Sequence, residues 1–75
     1  MDEKLKEIFR ETFNKPDLIL EDDIDASKID TWDSFNHINL MIYVEEEFNI
    51  RFTTDEISSV QNVGQLKGLI KKKID

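Results

Sequence analysis

An all-α fold of four helices, with a long first connection and a short third helix, follows from three observations. Apolar residues recur at helical spacing in three segments, and capping residues stand ahead of the later helices. The β-branched residues between 49 and 54 hint at a strand, but no nearby segment offers a convincing partner. Seventy-five residues make one domain, spanning 1–75. A chain this short has a limited core, so it depends on efficient helix packing, a disulfide, a metal or a partner.

The first helix is predicted from about Asp2 to Phe13, with Leu5, Ile8, Phe9 and Phe13 on one side. Asp2 and Glu3 suit the positive end of its dipole. Asn14-Lys15-Pro16 should end it, because the residue before proline disfavours helical dihedrals. The connection from about Pro16 to Trp32 has Leu18, Ile19, Leu20, Ile24, Ile29 and Trp32 set among acidic residues. Structureless loops this long are uncommon in compact domains, so these apolar residues are expected to pin it across the helices. The second helix is predicted from about Ser34 to Phe48, with Asn49 as its stop. Thr53 and Glu56 form a capping signal for a short helix through about Ser59. Asn62-Val63-Gly64-Gln65 repeats that logic and opens the last helix, which has Val63, Leu66, Leu69 and Ile70 on one side. Gly64 and Gly68 weaken it, whereas Lys71, Lys72 and Lys73 suit its C-terminal end.

The second helix has two apolar sides. At about 100° per residue, Phe35, Ile38 and Ile42 form one stripe, and Leu40, Met41, Val44 and Phe48 form another roughly opposite. Glu45 and Glu46 flank the first stripe, and Asn39 lies beside it. Burial on both sides is one solution. In so small a domain, the other is one stripe in the core and part of the other serving a ligand or partner. His37 falls on the core side and reads as a partly buried, hydrogen-bonded histidine.

Composition excludes several function classes. There is no cysteine, so disulfides, thiolate metal sites and thiol nucleophiles are absent. The net charge of -7, from 17 acidic and 10 basic residues, disfavours nucleic acid and anionic membrane surfaces. It suits partners with basic docking patches. No apolar run approaches the roughly 18 residues of a membrane span, and the N-terminus lacks a signal-peptide pattern, so the cytoplasm is the default location. The acidic loop fails the calcium-loop pattern: counted from Asp23, the required glycine would be Lys28 and the terminal glutamate Ser34. No metal site, glycine-rich phosphate loop or serine–histidine–acid motif is evident, and the chain reads as a non-enzyme with no catalytic residues of its own.

Asp33-Ser34-Phe35 is therefore the only credible reactive site, at the predicted start of the second helix. As a local feature, Ser34 reads as an ordinary helix cap. With Glu45-Glu46-Glu47-Phe48, Ile50, Phe52 and Val60-Gln61-Asn62-Val63, however, the chain resembles the acyl carrier protein family. The resemblance implies a four-helix bundle of acyl-carrier type. It also implies 4'-phosphopantetheine on Ser34, transferred from coenzyme A by a phosphopantetheinyl transferase, with acyl groups carried as thioesters on the arm's thiol. It implies partner contacts through Asp33, Phe35, Ile38, Ile42, Glu45 and Glu46, made to the transferase and to acyl-loading and acyl-transfer enzymes. A monomer is expected.

The chain also departs from fatty-acid carriers. Asn36 and Asn39 stand where those carriers have acids, Phe35 replaces leucine, and Thr31-Trp32 replaces Gly-Ala. The pattern looks more like stand-alone carriers dedicated to one pathway, such as specialised metabolite assembly. Two alternatives stay open: a carrier of aminoacyl or peptidyl groups of the D-alanyl type, and an unmodified helical adaptor in which Ser34 is only an N-cap.

Overall fold

The computed structural model describes residues 1–74. Four helices succeed one another: α1 (Asp2–Phe13), α2 (Ser34–Phe48), α3 (Thr54–Ser59) and α4 (Val63–Ile74). The β-branched residues near position 50 form no strand. The only β-type pairing among the described residues is an isolated antiparallel bridge between Asp25 and Asn62.

The helix ends follow local chemistry. α1 and α2 stop at Asn14 and Asn49, both left-handed with φ of 56° and 55°, a conformation asparagine tolerates better than most residues. Asn14, rather than the Lys15-Pro16 step, therefore makes the first stop. α3 opens with a complete capping box: Thr53 Oγ1 accepts from Glu56 N, and Glu56 Oε1 accepts from Thr53 N. At α4, Asn62 Oδ1 accepts from Gln65 N at 2.8 Å.

The core joins Leu5, Ile8, Phe9 and Phe13 of α1 to Leu40, Met41 and Val44 of α2, and to Val63, Leu66 and Ile70 of α4. Phe48 and Leu69 pack against this cluster while partly buried. α3 contributes no fully buried residue and leans on the core through half-buried Ile57. It is held from the side by Lys73, which pairs with Glu56 at 2.9 Å. The Lys73 ammonium, followed by the Thr53 N–H, holds the Glu56 carboxyl below the ordinary glutamate value.

The loop of residues 14–33 is tied down along its length. Ile24, Ile29 and Trp32 are buried, and Leu18 and Leu20 pack against the core. Ile19 does not anchor as its composition suggested; it is 72% exposed. The carbonyls of Asp22 and Ile24 accept from the Gly64 and Val63 N–H groups, at 2.9 and 3.0 Å. The loop thereby satisfies donors that the first turn of α4 leaves free. A side chain at Gly64 would meet the Asp22 carbonyl at 3.2 Å, so this glycine permits a close approach of loop to helix.

Candidate functional site

The site lies where the loop enters α2. Asp33 is the N-cap: it is extended, and its Oδ1 accepts from Asn36 N at 2.8 Å while its carbonyl accepts from His37 N at 2.8 Å. Ser34 is thus the first residue within the helix, and the reading of Ser34 as the cap is overturned. A capping residue must have non-helical dihedrals and aim its side chain at the N–H two or three residues on, and Asp33 meets both conditions.

The Ser34 hydroxyl is exposed and makes no hydrogen bond among the described residues. Of the four N–H groups that the helix start leaves without an intrahelical partner, that of Asn36 donates to the Asp33 side chain and that of Asp33 to the Thr31 carbonyl, which leaves those of Ser34 and Phe35 for water or a ligand. An exposed hydroxyl beside two such donors, at the positive end of a helix, fits a phosphodiester.

Nothing in the site activates Ser34 for catalysis by this chain. His37 is the nearest candidate base in sequence, but both of its ring nitrogens are engaged. Trp32 Nε1 donates to Nδ1 at 3.0 Å, and Nε2 lies 2.7 Å from the Ile57 carbonyl. The indole nitrogen is only a donor, so Nδ1 accepts and Nε2 carries the proton toward Ile57. This places His37 as the hydrogen-bonded, partly buried residue that its position predicts, and as a brace joining the loop, α2 and α3. Trp32 also packs on Phe9 and Phe13, with ring centroids 5.7 and 5.2 Å away. Thr31 Oγ1 donates to the Phe13 carbonyl, and Asn36 Nδ2 donates to the Thr31 carbonyl, both at 2.8 Å. Thr31, Trp32 and Asn36, three of the departures from fatty-acid carriers, thus act together to lock the serine's loop to α1 and α2.

An open cleft of about 670 Å³ adjoins Ser34 and runs toward α3. Trp32, His37, Ile38, Ile57 and Val60 supply its apolar wall, and Thr54, Ser58 and Gln61 add neutral polar groups.

The remaining predicted residues divide by geometry. Phe35, Ile38 and Ile42 are 75%, 50% and 46% exposed, while Leu40, Met41 and Val44 opposite them are fully buried. The two stripes of α2 therefore serve different purposes, and burial on both sides is excluded. Glu46 is exposed. Glu45 is half-buried and accepts from Phe52 N at 2.7 Å through Oε2, which ties the α2–α3 connection back to α2. Sequence reasoning missed this role of Glu45 and the His37–Ile57 bond, since neither partner is predictable from helical spacing.

No family model matches the sequence, and a search of curated proteins finds no match. Solved structures do match. The holo acyl carrier protein of Geobacter metallireducens, solved by NMR in solution, superposes with a TM-score of 0.88 at 36% identity, over 96% of this chain and 83% of that one. A chain provisionally assigned as an acyl carrier protein, from Mycobacterium tuberculosis, superposes at 0.84 over 93% of both chains; at 16% identity it speaks for the fold alone. Identity of 36% over nearly the whole chain, on the same four-helix frame, means that this chain belongs to the acyl carrier protein family.

Proposed function

We propose that this protein carries acyl groups as thioesters on a 4'-phosphopantetheine arm joined to Ser34. The observation that carries the reading is the division of labour at the start of α2. Asp33 caps the helix, which leaves the adjacent Ser34 hydroxyl exposed, unbonded and beside two free backbone donors.

On the transferase, the Ser34 oxygen would attack the pantetheine-bearing phosphorus of coenzyme A, the pyrophosphate bond would break to release adenosine 3',5'-bisphosphate, and the hydroxyl proton would pass to a base of that enzyme; the N–H groups of Ser34 and Phe35 would receive the phosphate oxygens of the resulting phosphodiester. When bound, the arm supplies the thiol that this cysteine-free chain lacks. Asp33 holds the serine in place and stands next to it for contact with a phosphopantetheinyl transferase. Its negative charge opposes a neighbouring phosphate, so its value lies in capping and in partner contact. Phe35, Ile38 and Ile42 present an apolar face to that transferase and to the acyl-loading and acyl-transfer enzymes, with Glu45 and Glu46 at its end. A carrier must leave each enzyme it visits, so small, short-lived interfaces suit the role. The neutral Asn36 and Asn39 favour service to a dedicated pathway over general fatty-acid synthesis. The described helices include none long and apolar enough to cross a membrane, and a monomer in the cytoplasm accords with the acidic, charged surface.

Incubation with coenzyme A and a broad-specificity transferase tests the reading. Intact-mass analysis should show one added arm on the natural chain and none on Ser34→Ala. Absence of the arm, or its persistence on Ser34→Ala, would remove the assignment. Loading of the holo protein by acyl-activating against aminoacyl-activating enzymes then identifies the cargo class.

A further inference from the structure

The seam between α2 and α3, beside the cleft at Ser34, is fastened at both ends. Near the serine, His37 of α2 donates from Nε2 to the Ile57 carbonyl of α3, 2.7 Å away, while its Nδ1 accepts from Trp32. Farther along, Glu45 of α2 accepts from Phe52 N at 2.7 Å, just ahead of α3. On its other side α3 is held to α4 by the 2.9 Å pair of Glu56 with Lys73. Trp32 completes the closure. Its indole stacks on His37, with ring centroids 6.1 Å apart, and packs on Phe9 and Phe13.

These fastenings divide the space near Ser34 in two. Outside them lies the cleft, whose lining comes from the loop, α2, α3 and the turn after it, with no residue of α1 or α4. Behind them lies the core, where Phe9, Phe13, Leu40, Val44, Leu66 and Ile70 are wholly buried. An alkyl chain passing from cleft to core has to part α3 from α2 at His37 and Ile57. Hydrocarbon between those groups breaks their bond and offers no water in exchange. The chain must also displace aromatic rings that are already in contact. A chain that stays in the cleft meets Trp32, Ile57 and Val60, and the polar groups of Thr54, Ser58 and Gln61. At about 670 Å³ the cleft has the size of a site for one small ligand, and the arm takes part of it. Methylenes beyond it stay in water and gain nothing from burial. Asp33, the only acidic or basic residue of the lining, adjoins Ser34 at the root of the arm. The walls that meet the cargo are therefore uncharged.

Resting on the attachment of the arm to Ser34, we propose that the cargo is a short acyl group of a few carbons, held in the cleft outside the His37–Ile57 seam and not inside the bundle. The apolar wall covers its carbons, and Thr54, Ser58 and Gln61 offer hydrogen bonds to a polar substituent. The seam keeps longer chains out of the core.

The test uses a phosphopantetheinyl transferase to install acetyl, butanoyl, octanoyl and decanoyl arms from the corresponding coenzyme A thioesters. Hydroxylamine then attacks each thioester carbonyl, giving a hydroxamate and releasing the thiol. Each rate is divided by that of the same acyl group on coenzyme A. Octanoyl and decanoyl arms should be no better protected than butanoyl, within about twofold. The melting temperature and the emission of Trp32, the only tryptophan, should match between butanoyl and octanoyl forms, because a chain outside the core does not stabilise the fold. His37→Ala opens the seam, so in that variant protection should rise beyond about twofold from butanoyl to octanoyl. A variant that was merely loosened would expose every thioester alike. A larger rise of protection with length in the natural chain, or a higher melting temperature with octanoyl, overturns the short cargo while leaving attachment intact. Equal protection at all lengths in His37→Ala overturns the seam as the barrier. Failure to install any arm overturns both this proposal and the carrier reading.

Discussion

Replacing Asp33 and Ser34 one at a time separates a structural residue from a chemical one at adjacent positions. Asp33→Ala removes the 2.8 Å bond to Asn36 N and leaves that donor without its cap. Loss of an N-cap costs about 1 kcal/mol, within a range of roughly 0.5–2. In a domain of this size each kcal/mol shifts the melting temperature by about 4–8 °C. Asp33→Ala should therefore melt several degrees lower, while Asp33→Asn, an equally good cap, should stay close to the natural chain. Ser34→Ala should melt at the same temperature or slightly higher, because the hydroxyl is unbonded and alanine favours the helix by a few tenths of a kcal/mol. The assay is circular dichroism on the unmodified proteins, paired with the mass measurement of arm attachment. If Ser34→Ala melts as low as Asp33→Ala, the serine is the cap and Asp33 does not free it.

Gly68 and Gly64 should respond oppositely to alanine. Gly68 is exposed within α4 with nothing within 4 Å of an added Cβ, so Gly68→Ala should stabilise by about 1 kcal/mol in chemical denaturation. Gly64→Ala presses against the Asp22 carbonyl and should lose that gain or destabilise. His37→Ala deprives the buried Trp32 indole of its acceptor and should cost about 1–3 kcal/mol, read from tryptophan fluorescence during unfolding. The Tyr43 hydroxyl donates to Glu11, and this bond, with smaller contributions from desolvation and from neighbouring carboxylates, pushes its pKa up to about 12. The folded state thus holds this proton more tightly than the unfolded chain, whose tyrosine titrates near 10. Tyr43's contribution to stability is fully present below about pH 10 and is lost as pH rises toward about 12. Ultraviolet titration of the phenolate should place its midpoint near 12 in the folded protein, and Glu11→Gln should bring it down.

The helices were legible because their signals are local. The spacing of Leu5, Ile8, Phe9 and Phe13, the capping box of Thr53 and Glu56, and the stop at Asn49 each act within one or two turns. The two stripes of α2 were legible for the same reason. Which stripe meets the core came from the resemblance, which turns Phe35, Ile38 and Ile42 toward partners, because periodicity alone records that a face is apolar and says nothing of what covers it. Packing against α1 and α4 closes over Leu40, Met41 and Val44, and leaves Phe35, Ile38 and Ile42 to solvent. Ile19 shows the converse error: an apolar residue in an anchored loop that still faces water.

By itself, the sequence determined a small acidic four-helix chain whose one chemically suggestive feature was Asp33-Ser34-Phe35. Its local pattern read Ser34 as a helix cap, while the family resemblance pointed to a serine that carries an arm. Which residue caps the helix depends on which of two neighbours takes the non-helical dihedrals, and contacts distant in sequence settle that point. Trp32 wedged on Phe9 and Phe13, and Asn36 bonded to the Thr31 carbonyl, fix where the loop ends and the helix begins. With that boundary placed, Asp33 becomes the cap and Ser34 is left exposed, because one residue at the boundary accepts the helix's unpaired N–H and the next is released from doing so.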